Sequence, residues 1–335
     1  MGLLDEIKEQ PATLARVADS NRPLYEDVAA LASSCTHVVI AARGTSDNAA
    51  RYAQYVWGIR NGLSVGLATP SVFSIYERSP RLDGSLVVGI SQSGQSPDIA
   101  SVLEEARAQG RPTVTITNDP ASPLAGVADI VIPLLAGEET AVAATKTYTA
   151  ELMVVACLSA TMRGDHEALG ELAGVVARVL DDSERCREAA TGMRDFEHAA
   201  VLGRGFNLAT AFEWALKMQE LSYVVAQPFS TADFLHGPIA LVDRGYPVLA
   251  VVADGPAASD VVAALDRSRS RGAPTLTLTN LGGVEGPSLR FPDVDEWLSP
   301  IPAVVLAQLF THWLTVEQGN DPDNPRGLSK VTKTT

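Results

Sequence analysis

Three serine hydroxyls and a glutamine amide crowd one short stretch of this 335-residue chain, Ser91-Gln92-Ser93-Gly94-Gln95-Ser96. The residues before it, Leu86-Val87-Val88-Gly89-Ile90, read as a buried parallel strand. The residues after it open a helix: Ser96 suits the N-cap, Pro97 the first position and Asp98 the first turn. Ile99, Val102, Leu103 and Ala106 then form an apolar stripe at helical spacing. Such a strand–loop–helix unit aims backbone N–H groups and the positive end of the helix dipole at one spot. A phosphate group is the natural guest there. The loop contains no Lys or Arg, so neutral donors holding a monophosphate fit better than a nucleoside triphosphate site. The Lys-Ser/Thr pattern of a P-loop is absent.

A second set of reactive groups lies at Glu213, Lys217 and Glu220, spaced i, i+4, i+7 on one helix face. By pattern alone this is equally a solvated salt-bridge stripe. Gln227-Pro228 is expected to break that helix, with a polar loop at Ser230-Thr231-Ala232-Asp233. His236, one of five histidines, then precedes Gly237-Pro238 and so sits on a fixed turn. A lone loop histidine is more often structural than catalytic. The tail Asp321–Lys330 is polar and proline-rich, a composition that by itself reads as disorder.

The elements that would position these groups alternate. Residues 3–20 read as an amphipathic helix interrupted by Pro11, and residues 23–34 as a second helix. A buried strand at 38–42 runs into Arg43-Gly44-Thr45-Ser46-Asp47 and a helix through Val56. A short strand is expected near 63–68, then the strand and helix around the serine loop, ending near Gln109. Thr113–Thr117 and Ile130–Ile132 read as strands, with a turn at Asn118-Asp119-Pro120. Residues 140–149 read as a polar loop entering a long helix at 148–162. Strand–helix alternation of this kind predicts an α/β fold with a parallel sheet.

The pattern then restarts. His37–Asp47 (HVVIAARGTSD) resembles His198–Leu208 (HAAVLGRGFNL), and Gly110–Asn118 (GRPTVTITN) resembles Gly272–Asn280 (GAPTLTLTN). Arg43 and Arg204 are 161 residues apart, and Gly110 and Gly272 are 162 apart. Two segments sharing nearly one offset point to a duplicated α/β domain. The counterpart of the serine loop falls near Val252-Ala253-Asp254-Gly255-Pro256, which lacks the serines. Neither half carries a dinucleotide fingerprint; Gly203-Arg204-Gly205 lacks the third glycine, at Leu208.

Composition bounds the possibilities. The chain is 46% hydrophobic and 20% charged, as folded globular proteins are, and long enough for two domains. A formal net charge of −14 argues against nucleic acid as a partner. Cys35, Cys157 and Cys186 are odd in number and far apart, with no CxxC and no metal-ligand spacing, which suggests a reducing, cytoplasmic setting. The first ten residues lack the pattern of a signal peptide, and no apolar run is expected to reach membrane-spanning length.

These motifs, taken together and in order, resemble the sugar isomerase (SIS) domain family, in particular the isomerase half of glucosamine-6-phosphate synthase. The resemblance covers nearly the whole chain. Glu6-Ile7-Lys8-Glu9-Gln10-Pro11 is similar to the segment that opens that half, and Gly44-Thr45-Ser46 and Ser91-Gln92-Ser93-Gly94 to its sugar-phosphate loops. Ala215-Leu216-Lys217 through Glu220, His236-Gly237-Pro238, and Pro325-Arg326 through Lys330 match its catalytic motifs. The resemblance implies two tandem SIS domains, each a flavodoxin-like parallel sheet flanked by helices. Their expected limits are 26–170 and 171–325, with a helical arm at 1–25 and a tail at 326–335.

The resemblance also implies roles. Ser46, Ser91, Gln92, Ser93 and Ser96 would bind the sugar phosphate, and Gly44, Thr45, Val142, Ala143 and Ala144 would border the substrate. Glu220 would carry a proton between C1 and C2 of the open-chain sugar. A carboxylate shielded from water has the near-neutral pKa that such a shuttle needs. His236 would assist ring opening from the neighbouring subunit of a homodimer. Lys217 and Lys330 would sit at the reacting carbonyl, with Lys330 able to form an imine. No cofactor, metal, membrane or nucleic acid is implied. Four positions depart from the synthase: Arg43 replaces a cysteine, Gln219 a lysine, Ala144 a serine and Asp233 a glutamate. The glutaminase domain is missing, so the expected reaction is release of ammonia from glucosamine 6-phosphate to give fructose 6-phosphate. The same motifs serve a dehydratase acting on the N-acetylated sugar, a fructosamine-phosphate deglycase, or a non-catalytic sugar-phosphate sensor.

Overall fold

A computed structural model describes residues 2–330; Met1 and the last five residues of the 326–335 tail lie outside the described residues. Three helices open the chain, α1 (Leu3–Lys8), α2 (Gln10–Ser20) and α3 (Arg22–Ser33). The break between α1 and α2 falls at Glu9 rather than at Pro11. Pro11 is the second residue of α2, where the helix has no use for an N–H. There follow β1 (His37–Ala41), α4 (Gly44–Asn61), β2 (Ser64–Leu67), α5 (Pro70–Ser74), β3 (Ser85–Ile90) and α6 (Pro97–Ala108). Next come β4 (Thr113–Thr117), α7 (Pro123–Gly126), β5 (Ile130–Pro133) and α8 (Lys146–Arg163). The later part holds α9 (Leu172–Leu180), α10 (Ser183–Gly192), β6 (His198–Gly203), α11 (Leu208–Lys217), β7 (Val225–Ser230) and α12 (Thr231–Leu235). It ends with β8 (Val248–Val252), α13 (Ala258–Ser270), β9 (Thr275–Thr279), β10 (Ser288–Arg290) and α14 (Pro300–Glu317).

The chain forms two compact units. The first holds residues 12–139, 146–170 and the described end of the chain, Ser329 and Lys330; the second holds 2–11, 140–145 and 171–328. Each contains one five-stranded sheet in which every pairing is parallel. The strand orders are β2-β1-β3-β4-β5 and, read the same way, β7-β6-β8-β9-β10. These are the same doubly wound order, as the repeat offset predicted. Crossovers in such a sheet reverse between its first and third strands, and ligands bind beyond the carboxyl ends there.

The repeat extends to backbone detail. Arg43 (φ −140°, ψ 153°) and Arg204 (φ −146°, ψ 149°) leave their strands extended. The glycine after each has positive φ, 54° at Gly44 and 58° at Gly205. Strands β4 (TVTIT) and β9 (TLTLT) are buried at every position. Their last threonines play the same part: the Thr117 hydroxyl accepts the Asp119 N–H at 3.3 Å, and that of Thr279 the Leu281 N–H at 2.9 Å.

Three sequence expectations are corrected. Gln227-Pro228 lie in β7, an edge strand paired with β6, and not in a loop. An edge position tolerates a residue without an N–H, which is why proline fits there. The supposed polar loop at 230–233 is the last strand residue and the start of α12. The stretch Glu296–Glu317 is long and apolar enough to cross a membrane, although no such run was expected; 89% of its most apolar window is buried. A helix apolar all round is what a protein core requires.

The ends of the chain are held in place. The Leu3 N–H donates to the Asp323 carboxylate at 2.6 Å, and the Gln10 and Gln308 side chains bond at 2.9 Å. The polar tail is ordered by similar contacts: the Arg326 guanidinium lies 3.8 Å above the Tyr223 ring, and the Arg326 backbone N–H donates to the Tyr223 hydroxyl at 2.9 Å.

Candidate active site

In the first unit the loops after β1 and β3 meet the reversal point of the sheet. Ser91 is buried, and its Oγ accepts the Gly94 N–H at 3.1 Å; the Ser93 Oγ accepts the Gln95 N–H at 3.3 Å. The Gln92 carbonyl accepts from the Asn118 N–H at 3.0 Å and the Thr117 hydroxyl at 3.3 Å, which ties the loop to the end of β4. Gly94 has φ +61°, and a Cβ there would stand 2.1 Å from the Ser122 Oγ. Ser96 occupies the N-cap of α6, but its side chain makes no capping bond. Three serine hydroxyls thus stand beside the N-terminus of α6, where Pro97 carries no N–H and the Asp98 carboxylate accepts that of Ile99 at 3.0 Å.

On the other loop, Gly44 starts α4 and Thr45 is half-buried. Ser46 is buried and donates its hydroxyl to Glu151 at 2.7 Å; among the described residues no hydrogen bond joins it to the serine loop. Arg43 pairs with Asp98: Nε lies 2.7 Å from Oδ2, with the carboxylate fully buried and the arginine half-exposed.

Lys330 also belongs to this unit. Its Nζ meets the Glu139 carboxylate at 2.7 Å. Glu139 is buried and accepts as well the Thr147 N–H at 3.1 Å and the Thr147 hydroxyl at 2.7 Å. A carboxylate on the first N–H groups of α8 is favoured by the helix dipole. The helix starts at Lys146, two residues before its expected start, because Glu139 folds back onto that terminus. Nothing in the local sequence marks Glu139, since its role depends on where α8 begins.

In the second unit α11 ends at Lys217 and passes into a π-turn at Met218–Ser222, closed by Tyr223 with φ +57°. Widened turns of this kind gather at functional sites. Lys217 is buried; its Nζ bonds to the Glu220 carboxylate and lies 3.5 Å from that of Glu213. The Glu213 side chain is fully buried, whereas that of Glu220 is 24% exposed. One cation therefore sits between two carboxylates, and the water-facing member is Glu220. The helical spacing had placed Glu213 on this face without a role.

The loop Thr140–Thr145 in the same unit is anchored from the chain's start. The buried Glu6 carboxylate accepts from the Thr140 and Ala141 N–H groups, and Gln308 donates to the Thr145 carbonyl at 3.3 Å. Between these anchors Val142 and Ala144 are half-buried and Ala143 is buried. Gln219 donates to the Ala226 carbonyl, and Asp233 is exposed. His236 caps the C-terminus of α12 and is exposed. Among the described residues, no hydrogen bond or ion pair joins it to the Glu213–Lys217–Glu220 cluster.

The cysteines are all free thiols. Burial pushes the thiols of Cys157 and Cys186 up to about 12. Among the described residues no group of histidines, cysteines and carboxylates is arranged to hold a metal ion.

Comparison with known proteins follows these features. The SIS domain model matches residues 31–160 and again 192–285. Glutamine–fructose-6-phosphate aminotransferase (isomerizing) of Thermococcus kodakarensis is 33% identical over 98% of this chain; the chain spans 57% of that protein's length. The solved C-terminal domain of glucosamine-fructose-6-phosphate aminotransferase from Francisella tularensis is 27% identical with a TM-score of 0.87, covering 96% of this chain and 98% of that one. A Silicibacter pomeroyi DSS-3 structure assigned as a phosphosugar isomerase is 33% identical with a TM-score of 0.86, covering 96% and 100%. Two matched SIS regions on two sheets of one topology make this chain a member of the SIS domain family, carrying that domain twice.

Proposed function

We propose that this chain rearranges an amino-sugar 6-phosphate, converting glucosamine 6-phosphate into fructose 6-phosphate and ammonia. The phosphate rests on the Ser91, Ser93 and Ser96 hydroxyls and the N-terminus of α6. Glu220 takes the C2 proton of the open-chain aldehyde and returns it to C1. The resulting C2 imine is hydrolysed by water, which releases ammonia and leaves the ketone. Lys217 offsets negative charge developing on the enolised carbon skeleton, and Glu213 holds that lysine in place. Lys330 serves the carbonyl, and Val142–Ala144 line the sugar. His236 assists ring opening in the partner of a two-fold dimer. A cytoplasmic enzyme without a cofactor is the matching context.

The observation that carries this reading is the buried Lys217 flanked by two carboxylates, of which only Glu220 reaches solvent. A proton shuttle needs one positioned base that substrate can reach. Incubation with glucosamine 6-phosphate should yield ammonia and fructose 6-phosphate in equal amounts, while the N-acetylated sugar yields neither. Turnover of the N-acetylated sugar alone would replace this reading with the dehydratase.

A further inference from the structure

The ion pair between Arg43 and Asp98 recurs in the second unit. There Arg204, in the same place after β6, faces Asp260 in the first turn of α13, at 3.8 Å. Asp98 and Asp260 are 162 residues apart, which is the repeat offset. The two pairs differ in closeness and in burial. Arg43 and Asp98 stand at 2.7 Å with the carboxylate at 0% exposure, whereas in the wider pair Asp260 is at 61%; the arginines are alike, at 48% and 37%. Only the first unit keeps the serine loop.

A buried carboxylate in the first turn of α6 is a problem for a phosphate site. It stands within a few residues of Ser91–Ser96 and would repel any anion placed there. In the first turns of α4, Arg51 is paired with Asp47 at 3.0 Å. Arg43 offsets the repulsion. Its Nε donates to Asp98 Oδ2, and Asp98 Oδ1 accepts the Ile99 N–H at 3.0 Å. The guanidinium thus joins the loop after β1 to the first turn of the helix after β3, across the reversal point of the sheet.

We propose that Arg43 is the positioning residue of the phosphate loop: it cancels the charge of Asp98 and fixes the two loops so that the serine cradle accepts a phosphate dianion. This rests on the phosphate role proposed for Ser91–Ser96. In place of a family cysteine, the arginine forms a compensated pair with an acidic residue of the loop's own helix. It acts through Asp98 and the loop, not on the reacting carbons.

The test is binding of inorganic phosphate to the full chain, measured calorimetrically for Arg43→Met, Asp98→Asn, the double variant and Arg204→Met. Removing Arg43 alone should weaken phosphate about 10- to 100-fold, the effect of one uncancelled charge a few ångströms away in a partly screened site. The double variant has neither charge and should bind within a few-fold of the parent. Arg204→Met should bind as the parent does. The double variant also settles the matter if Arg43→Met fails to fold, because it leaves no buried charge unpaired. A double variant that stays 10-fold or more weaker than the parent overturns the proposal, as does an Arg43→Met chain that binds normally. If the parent itself binds no phosphate, the phosphate loop is wrong and the functional reading fails with it.

Discussion

Lys217 is the cation on which the second unit's buried charge cluster balances. It is buried between Glu213, which sees no water, and Glu220, which does. Removing one partner from a buried charge cluster leaves the others uncompensated, which costs about 3–5 kcal/mol. Lys217→Met should therefore lower unfolding free energy by about that amount, as read by denaturant unfolding. Lys217→Met with Glu213→Gln should recover much of it. A stability unchanged by Lys217→Met would mean that the cluster is open to solvent. The sequence made the stripe legible because i, i+4, i+7 spacing is a property of any helix. It did not separate an exposed stripe from a buried cluster, because that depends on what packs against α11. Glu139 was invisible for the same reason: its partners, Thr147 and Lys330, are neighbours only in the folded chain.

At the scale of elements, the strands were easy to read and the breaks were not. β3 is six buried residues rich in Leu, Val and Ile, and β4 alternates threonine with Val and Ile. Such runs announce themselves. Pro228 reads in the sequence as a helix breaker, yet it sits in the edge strand β7, and the helix ends earlier in a π-turn. Proline ends helices, but it also fits sheet edges, and only topology tells the two apart. The serine loop is closely enclosed at Gly94. Gly94 stands in left-handed backbone, and a side chain there would overlap Ser122. Gly94→Ala should destabilise the protein by about 1–3 kcal/mol. It should also weaken sugar-phosphate binding more than Gly44→Ala, whose Cβ meets nothing within 4 Å. Calorimetric titration of both variants decides this; equal losses would show that the loop adapts.

For the whole molecule, duplication leaves two units alike in topology and unlike in the side chains they carry. The two sheets share an order and an offset, but the serines stand after β3 and the Lys–Glu cluster at the end of α11. The proposed trans role of His236 predicts that a Glu220→Gln chain and a His236→Ala chain, each inactive as a homodimer, regain activity when mixed. Half of the sites in a mixed dimer would then have both groups intact. Verified mixed dimers without activity would place His236 in its own chain's site. The central claim, that Glu220 moves a proton at C2, is tested most directly by proton NMR of glucosamine 6-phosphate in deuterated water. Wild-type protein should exchange the C2 hydrogen for deuterium. Glu220→Gln should slow that exchange by roughly 10²–10⁴ while still binding the sugar phosphate. A wild-type protein that binds the sugar phosphate and exchanges no C2 hydrogen would contradict the account and leave a sensor in its place.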